Sequence, residues 1–329
     1  MFSKIKNKIK NKFMKNVQNV NKPQDFEENN HNIKYNATDE ECYENNYKII
    51  DEFMNKREIP IFTNIEIETI NRCNGTCSFC PVNKNDDTRE FKKMSEELFK
   101  NIISQLKKNK YTGSIALHSN NEPLLDKRIY EFARFTRNEL PNCYIYLFTN
   151  GTLLDINKFQ DLMENLDLIV IDNYSDDLKL HDPIKEIYEY CLKNPEIQRK
   201  VLIDMRLQNQ ILTSRGGQAN NRNNILKLKT TCLIPYNKIV VQPDGRVPLC
   251  CCDPFGKVIL GDLNDNSLVE IWKGEKYQNI RQKLYKKEYA RENINLCKNC
   301  DAITLNISGI PYEEEYILNQ YNHLKEIIL

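Results

Sequence analysis

The sequence predicts an α/β protein: a parallel sheet wound from βαβ units, followed by a smaller unit built from a β-hairpin and a helix. Three observations carry this. From residue 61 to about 210, short apolar or β-branched runs alternate with stretches of helical spacing. Near residue 230 the alternation gives way to a run, a Pro243-Asp244-Gly245 turn and a second run. Cysteines gather twice, in 73–80 and again in 232–300, once in each half of the chain.

Taken in order, the first 24 residues hold seven lysines and no acidic residue. They lack the apolar core of a secretory signal, which predicts a cytoplasmic chain with reduced thiols. Phe2, Ile5, Ile9, Phe13, Val17 and Val20 recur at three- and four-residue steps among these lysines. As a helix, residues 1–20 would suit an anionic membrane surface or a partner protein; the same composition also fits an irregular Asn/Lys-rich leader. Residues 21–40 have no period and read as linker, and a short helical pattern through Ile49, Ile50, Phe53 and Met54 closes at Pro60.

Strands are expected at Asn64–Ile70, Ser114–His118, Tyr144–Thr149, Leu168–Asp172 and Val201–Leu207. Helical spacing lies between them, as in Leu98, Ile102, Ile103 and Leu106 or Ile184, Ile187, Tyr188 and Cys191. Lys238–Gln242 and Arg246–Leu249 read as a hairpin, and 268–285 as one helical pattern. The expected division is therefore 1–60 leader, linker and short helix; 61–215 parallel-sheet core; 216–329 hairpin and helix extension.

Composition sets outer bounds. Hydrophobic residues make up 40% and charged ones 28%, an ordinary globular balance. A net charge of +1 argues against an electrostatic nucleic-acid binder. No apolar run reaches the roughly 18 residues of a membrane span.

Cys73, Cys77 and Cys80 form C-x3-C-x2-C directly after the first strand. Three thiolates on one short loop can hold three irons of a cubane and leave the fourth open, whereas four cysteines normally close such a cluster. Zinc with a distant fourth ligand is the competing chemistry. Further on, Glu122 stands in His118-Ser119-Asn120-Asn121-Glu122-Pro123, Asn150 in Thr149-Asn150-Gly151-Thr152, Ser175 after the fourth strand and Arg206 on the fifth.

On these residues the chain resembles the radical S-adenosylmethionine (radical SAM) superfamily, whose fold is a partial (β/α)6 TIM-like barrel. The resemblance implies a 4Fe–4S cluster on Cys73, Cys77 and Cys80 that binds S-adenosyl-L-methionine at its open iron. It implies cofactor contacts from Phe79, Glu122, Asn150, Ser175 and Arg206. An internal ion pair of Arg206 with Asp204 on the same strand face is the competing reading for that arginine.

In the second half, Cys232, Gly245 and Cys250 give C-x12-G-x4-C, and Cys297 and Cys300 give C-x2-C. Four converging thiolates make a closed iron–sulfur or zinc site. The spacing resembles the SPASM extension of radical SAM enzymes, in the shortened form called Twitch, since Asn306 stands where a full SPASM motif continues with cysteine. That implies one auxiliary 4Fe–4S cluster on Cys232, Cys250, Cys297 and Cys300. Cys251 and Cys252 adjoin Cys250, so which of the three serves stays open.

The resemblance extends to enzymes that remove hydrogen from a carbinol carbon and pass an electron to the auxiliary cluster. The expected activity is thus oxidation of a sugar- or aminocyclitol-like alcohol, with a flavodoxin- or ferredoxin-type reductant. Modification of a ribosomally made peptide and a non-catalytic metal-stabilised binding protein are the competing classes. Asp204, Asp172 and Tyr236 are polar candidates for a base, with none singled out.

Overall fold

A computed structural model describes residues 39–222, 225–285, 288–304 and 308–328. Six short runs rich in Ile, Val, Leu and Tyr become strands β1 (Asn64–Ile67), β2 (Ser114–Ala116), β3 (Tyr144–Thr149), β4 (Leu168–Tyr174), β5 (Val201–Arg206) and β6 (Lys238–Val241). They form one parallel sheet in the order β5-β4-β3-β2-β1-β6, with β5 and β6 as its edges. Alternate residues serve two sides: β1 puts Asn64 and Glu66 into a cavity wall, while Ile65 and Ile67 are fully buried.

Helix α1 (Asp39–Met54) precedes the sheet; α2 (Glu96–Lys108), α3 (Ile129–Glu139), α4 (Ile156–Met163) and α5 (Asp182–Lys193) connect its successive strands. Ser95 and Asp155 cap α2 and α4 by accepting from Leu98 N (3.0 Å) and Lys158 N (2.9 Å), which satisfies otherwise orphan amides. Phe99 of α2 stacks on Phe132 of α3 at 4.0 Å, locking neighbouring helices together.

The expected hairpin forms only in part. Its turn is present, with Gln242 N donating to Arg246 O, but β6 joins β1 in parallel, Asn64 opposite Lys238. The second arm, β7 (Arg246–Pro248), pairs antiparallel with β8 (Ile259–Asp262). A strand buried on both faces suits a parallel sheet covered on both sides, and Ile239, Val240 and Val241 are all buried although β6 is an edge strand. The helical pattern of 268–285 breaks at Gly274 into α6 (Leu268–Lys273) and α7 (Glu275–Tyr285).

Residues from both ends brace this arrangement. Asn46 of α1, wholly buried, donates to Thr231 O (3.2 Å) and Thr304 O (2.7 Å). Helix α8 (Glu314–Ile328) packs on β5, and before it Gly309 O accepts from Ser114 Oγ (2.6 Å) and Asn64 Nδ2 (3.2 Å). The segment 1–20, read above as a membrane- or partner-facing stripe, lies outside the described residues. Among the described residues no helix is long and apolar enough to cross a membrane.

Candidate active site and second cysteine cluster

The open side of the sheet encloses a cavity of about 410 Å3. Its wall includes Cys73, Cys77 and Cys80, and also Cys251 and Cys252 from the second cluster. One space therefore touches both cysteine groups.

The first loop is bound to itself. Cys80 N donates to Cys77 O, Lys84 N to Gly75 O, and Asn83 Nδ2 reaches both Cys77 O (3.2 Å) and Cys80 O (2.8 Å). A Cβ built on Gly75 would make only ordinary contact with Cys73 Sγ (3.4 Å) and Cys77 Sγ (3.8 Å), which places Gly75 beside both sulfurs. Gly75 N donates to Cys73 Sγ (3.3 Å), an interaction that favours thiolate. Burial pushes the Cys73 and Cys77 thiols up to about 12, so they ionise only when a metal replaces the proton. The sulfurs stand along the wall; among the described residues no three His, Cys, Asp or Glu side chains converge on one ion. Cubane thiolates each hold a different iron, so the donor set and its spread fit an iron–sulfur cluster.

The expected cofactor contacts divide. Phe79, Glu122 and Asn150 line the cavity. The Phe79 ring lies 5.7 Å from that of Tyr174. Glu122 accepts from Leu124 N (3.0 Å), Thr149 Oγ1 (2.7 Å) and Asn150 N (2.8 Å), and burial pushes its carboxyl up to about 7. Ser175 is not in the wall: its hydroxyl donates to Asp177 (2.7 Å) and accepts Lys179 N, closing a turn. Arg206 is not in the wall either. Its guanidinium grips Asp172 (2.7 Å) and Asp204 (2.9 Å), the ion pair weighed for it from the sequence.

The wall also holds charged side chains that are already paired. Glu66 accepts from Ser119 Oγ (2.8 Å) and from Lys238 Nζ at the start of β6. Burial would raise Glu66, but the adjacent Lys238 charge holds it below the ordinary carboxylate value. His118 accepts Phe148 N at Nδ1 (3.1 Å), and burial drives it down to about 4, so it stays neutral. Arg215 enters the same wall and donates to Asn120 Oδ1 (2.9 Å).

The second cluster is closed. Cys232, Cys250, Cys252 and Cys297 are buried and Cys300 is half-buried. A hydrogen bond from the Cys252 thiol brings Cys300 down to about 6, helped by the Ala302 and Gly216 amides. Gly216 has a left-handed φ of +63°, and a Cβ there would meet Leu296 at 2.7 Å, so only glycine lets this amide approach. Arg291, 3% exposed, donates to the carbonyls of Thr230 (3.1 Å), Thr231 (3.3 Å) and Cys300 (3.1 Å). No carboxylate of the described residues lies within ion-pair distance of it. A buried cation that faces thiols instead of a carboxylate fits a cluster carrying net negative charge. Cys251 alone of the 250–252 run sits against Lys238 in the cavity wall without contacting Cys300.

Of the three groups considered for a base, only Asp172 reaches the cavity; Asp204 is held by Arg206, and Tyr236 donates to Arg281 O (2.6 Å). Glu66, Lys238, Arg215 and Arg291 were not singled out from the sequence. The first two carry a readable signal, a lone charge in an otherwise apolar strand (Asn64–Ile67 and Lys238–Val241). Arg291 carries none, whereas Arg215 stands in Ser214-Arg215-Gly216-Gly217, which resembles a segment common before the SPASM extension.

Residues 67–199 match the profile of the radical SAM superfamily, and residues 232–301 that of SPASM, an iron–sulfur cluster-binding domain. The S-adenosyl-L-methionine-dependent 2-deoxy-scyllo-inosamine dehydrogenase of Niallia circulans is 29% identical over 259 residues, 78% of this chain and 97% of that protein. The crystal structure of BtrN with AdoMet and 2-DOIA superposes with a TM-score of 0.67 at 27% identity, over 77% of this chain and 98% of that one. An open conformation of BtrN gives 0.57 at 25% identity, with the same coverage. The sheet order, the two cysteine groups and these likenesses agree: the chain carries a radical SAM domain followed by a SPASM domain, as an enzyme that takes a 4Fe–4S cluster, S-adenosylmethionine and an auxiliary iron–sulfur cluster.

Proposed function

We propose that this chain oxidises a secondary alcohol of a cyclitol- or sugar-like ring to a ketone. The observation that carries the reading is a cavity of about 410 Å3 whose wall holds Cys73, Cys77 and Cys80 together with Cys251 and Cys252, the chain neighbours of Cys250. Its size suits one ring beside the cofactor better than a peptide segment. The likeness to the 2-deoxy-scyllo-inosamine dehydrogenase supports the same reaction class.

Converting CH–OH to C=O removes a carbon-bound hydrogen atom, the hydroxyl proton and one further electron. When bound, S-adenosylmethionine on the first cluster supplies a radical that takes the hydrogen atom, and the auxiliary cluster accepts the electron. The chain's part is position and electrostatics. Cys73, Cys77 and Cys80 hold the first cluster; Cys232, Cys250, Cys297 and Cys300 hold the second. Phe79, Glu122 and Asn150 form the cofactor's side of the cavity. Arg215 stabilises the substrate oxygen as its proton leaves, since its guanidinium reaches the cavity beside the Asn120 amide oxygen, the thiols of Cys80, Cys251 and Cys252, and Tyr174. Residues 61–215 serve as the radical-generating core and 216–329 as the electron-accepting unit, with a small reducing protein as donor.

The test is anaerobic incubation of the reconstituted enzyme with a panel of cyclitols and sugars, following 5′-deoxyadenosine and product mass. The expected result is one 5′-deoxyadenosine per product lighter by two hydrogens. Cofactor cleavage without oxidation of any ring alcohol would overturn the reading.

A further inference from the structure

Three carboxylates reach the cavity wall, and each is already engaged. Glu122 accepts from two backbone amides and the Thr149 hydroxyl, and Asp172 is held by Arg206. Glu66, 5% exposed, has one oxygen on Lys238 and the other on Ser119. The acceptors left unpartnered in this wall are neutral: the amide oxygens of Asn64 and Asn237 have no hydrogen-bond partner among the described residues. The one further side-chain charge is a second cation, Arg215.

An ammonium group brought here would give up its water to meet two cations and no free carboxylate. A hydroxyl is suited to the same wall, because it accepts from Lys238 or Arg215 and donates to an amide oxygen. We infer that the Glu66–Lys238 pair makes the enzyme select an uncharged, hydroxyl-bearing ring over its amine-bearing counterpart, with Lys238 as the specificity-determining residue. This rests on the ring-alcohol reading above and departs from the dehydrogenase relative, which is named for an inosamine. Lys238 works by exclusion: it satisfies the one carboxylate that would otherwise recognise an amine.

The experiment compares scyllo-inositol with scyllo-inosamine, which differ only in one hydroxyl against one amine, on the cluster-loaded, S-adenosylmethionine-bound enzyme under anaerobic conditions. Binding is read by calorimetry and turnover by 5′-deoxyadenosine formation. The wild type is expected to bind the inositol at least about ten-fold more tightly. Lys238→Met should reverse the preference by freeing Glu66, while Lys238→Arg should keep it. In Glu66→Gln/Lys238→Met the amine advantage should vanish, which ties the reversal to that carboxylate. A wild type that prefers the amine, or a ratio unmoved by Lys238→Met, would overturn the inference and leave ring-alcohol oxidation standing. Failure of both rings to bind, with cofactor cleavage intact, would overturn the cyclitol reading and the inference with it.

Discussion

The two cysteine groups differ in what surrounds them. Around the first, Cys73 and Cys80 are half-buried, the loop is held by Asn83, and the sulfurs border open space. Around the second, the thiols are enclosed by Arg291, the Gly216 amide and the loop of Cys297 and Cys300. All three sulfurs of the first group border the cavity, whereas in the second only Cys251 and Cys252 do, and Cys232, Cys250, Cys297 and Cys300 lie outside its wall. That contrast matches a centre that binds and cleaves against one that only takes up charge, since burial and local charge tune a cluster's potential.

The sharpest break would come at the open site. Replacing Cys73, Cys77 and Cys80 by alanine should abolish 5′-deoxyadenosine formation, measured chromatographically after anaerobic reconstitution. Replacing Cys297 and Cys300 should instead leave cofactor cleavage in place and stop ketone formation; equal loss of both would erase the distinction between the centres.

Arg206 tests whether the polar groups beside the open site are scaffolding. Arg206→Met leaves Asp172 and Asp204 facing each other without a counter-charge, and should cost about 3–5 kcal/mol in denaturant unfolding. A smaller effect is expected at the closed site. Arg291→Met removes a buried positive charge beside the thiols and should lower the second cluster's midpoint potential by about 60 mV, a tenfold change in its one-electron equilibrium. An EPR-monitored titration reads it, and an unmoved potential would make Arg291 purely structural.

The smallest expected effect concerns His118. Unfolded, it takes up a proton near about 6.5, whereas folded it does so only near about 4. Falling pH therefore favours the unfolded chain: the stabilisation is complete above about 6.5 and drains away below it. From about pH 7.5 to 5.5 the loss should be about 1 kcal/mol, and His118→Asn should flatten that slope in denaturant melts.

Much of this was legible in the residues. The five runs read as strands from 64 to 207 are strands within a few residues, because both the β-branched content and the helical spacing between them are local signals. The cysteine spacings announced both groups for the same reason. What escaped was long-range. Nothing near Lys238 says that its strand will lie beside Asn64 rather than fold back on Arg246. Ser175 and Arg206 occupy the positions a motif would give them, yet Asp177 and the two aspartates around Arg206 take their hydrogen bonds. Arg291 matters through what the fold brings near it, which no spacing records.

The placement of β6 limits how far the molecule can be divided. A fragment ending at residue 215 would strip β1 of its neighbour, leaving a row of backbone donors and acceptors ready to pair with another chain. It would also leave Glu66 without its cation. Engineering by exchange of whole halves should then yield aggregates, while exchange of single side chains around the cavity should remain tolerated.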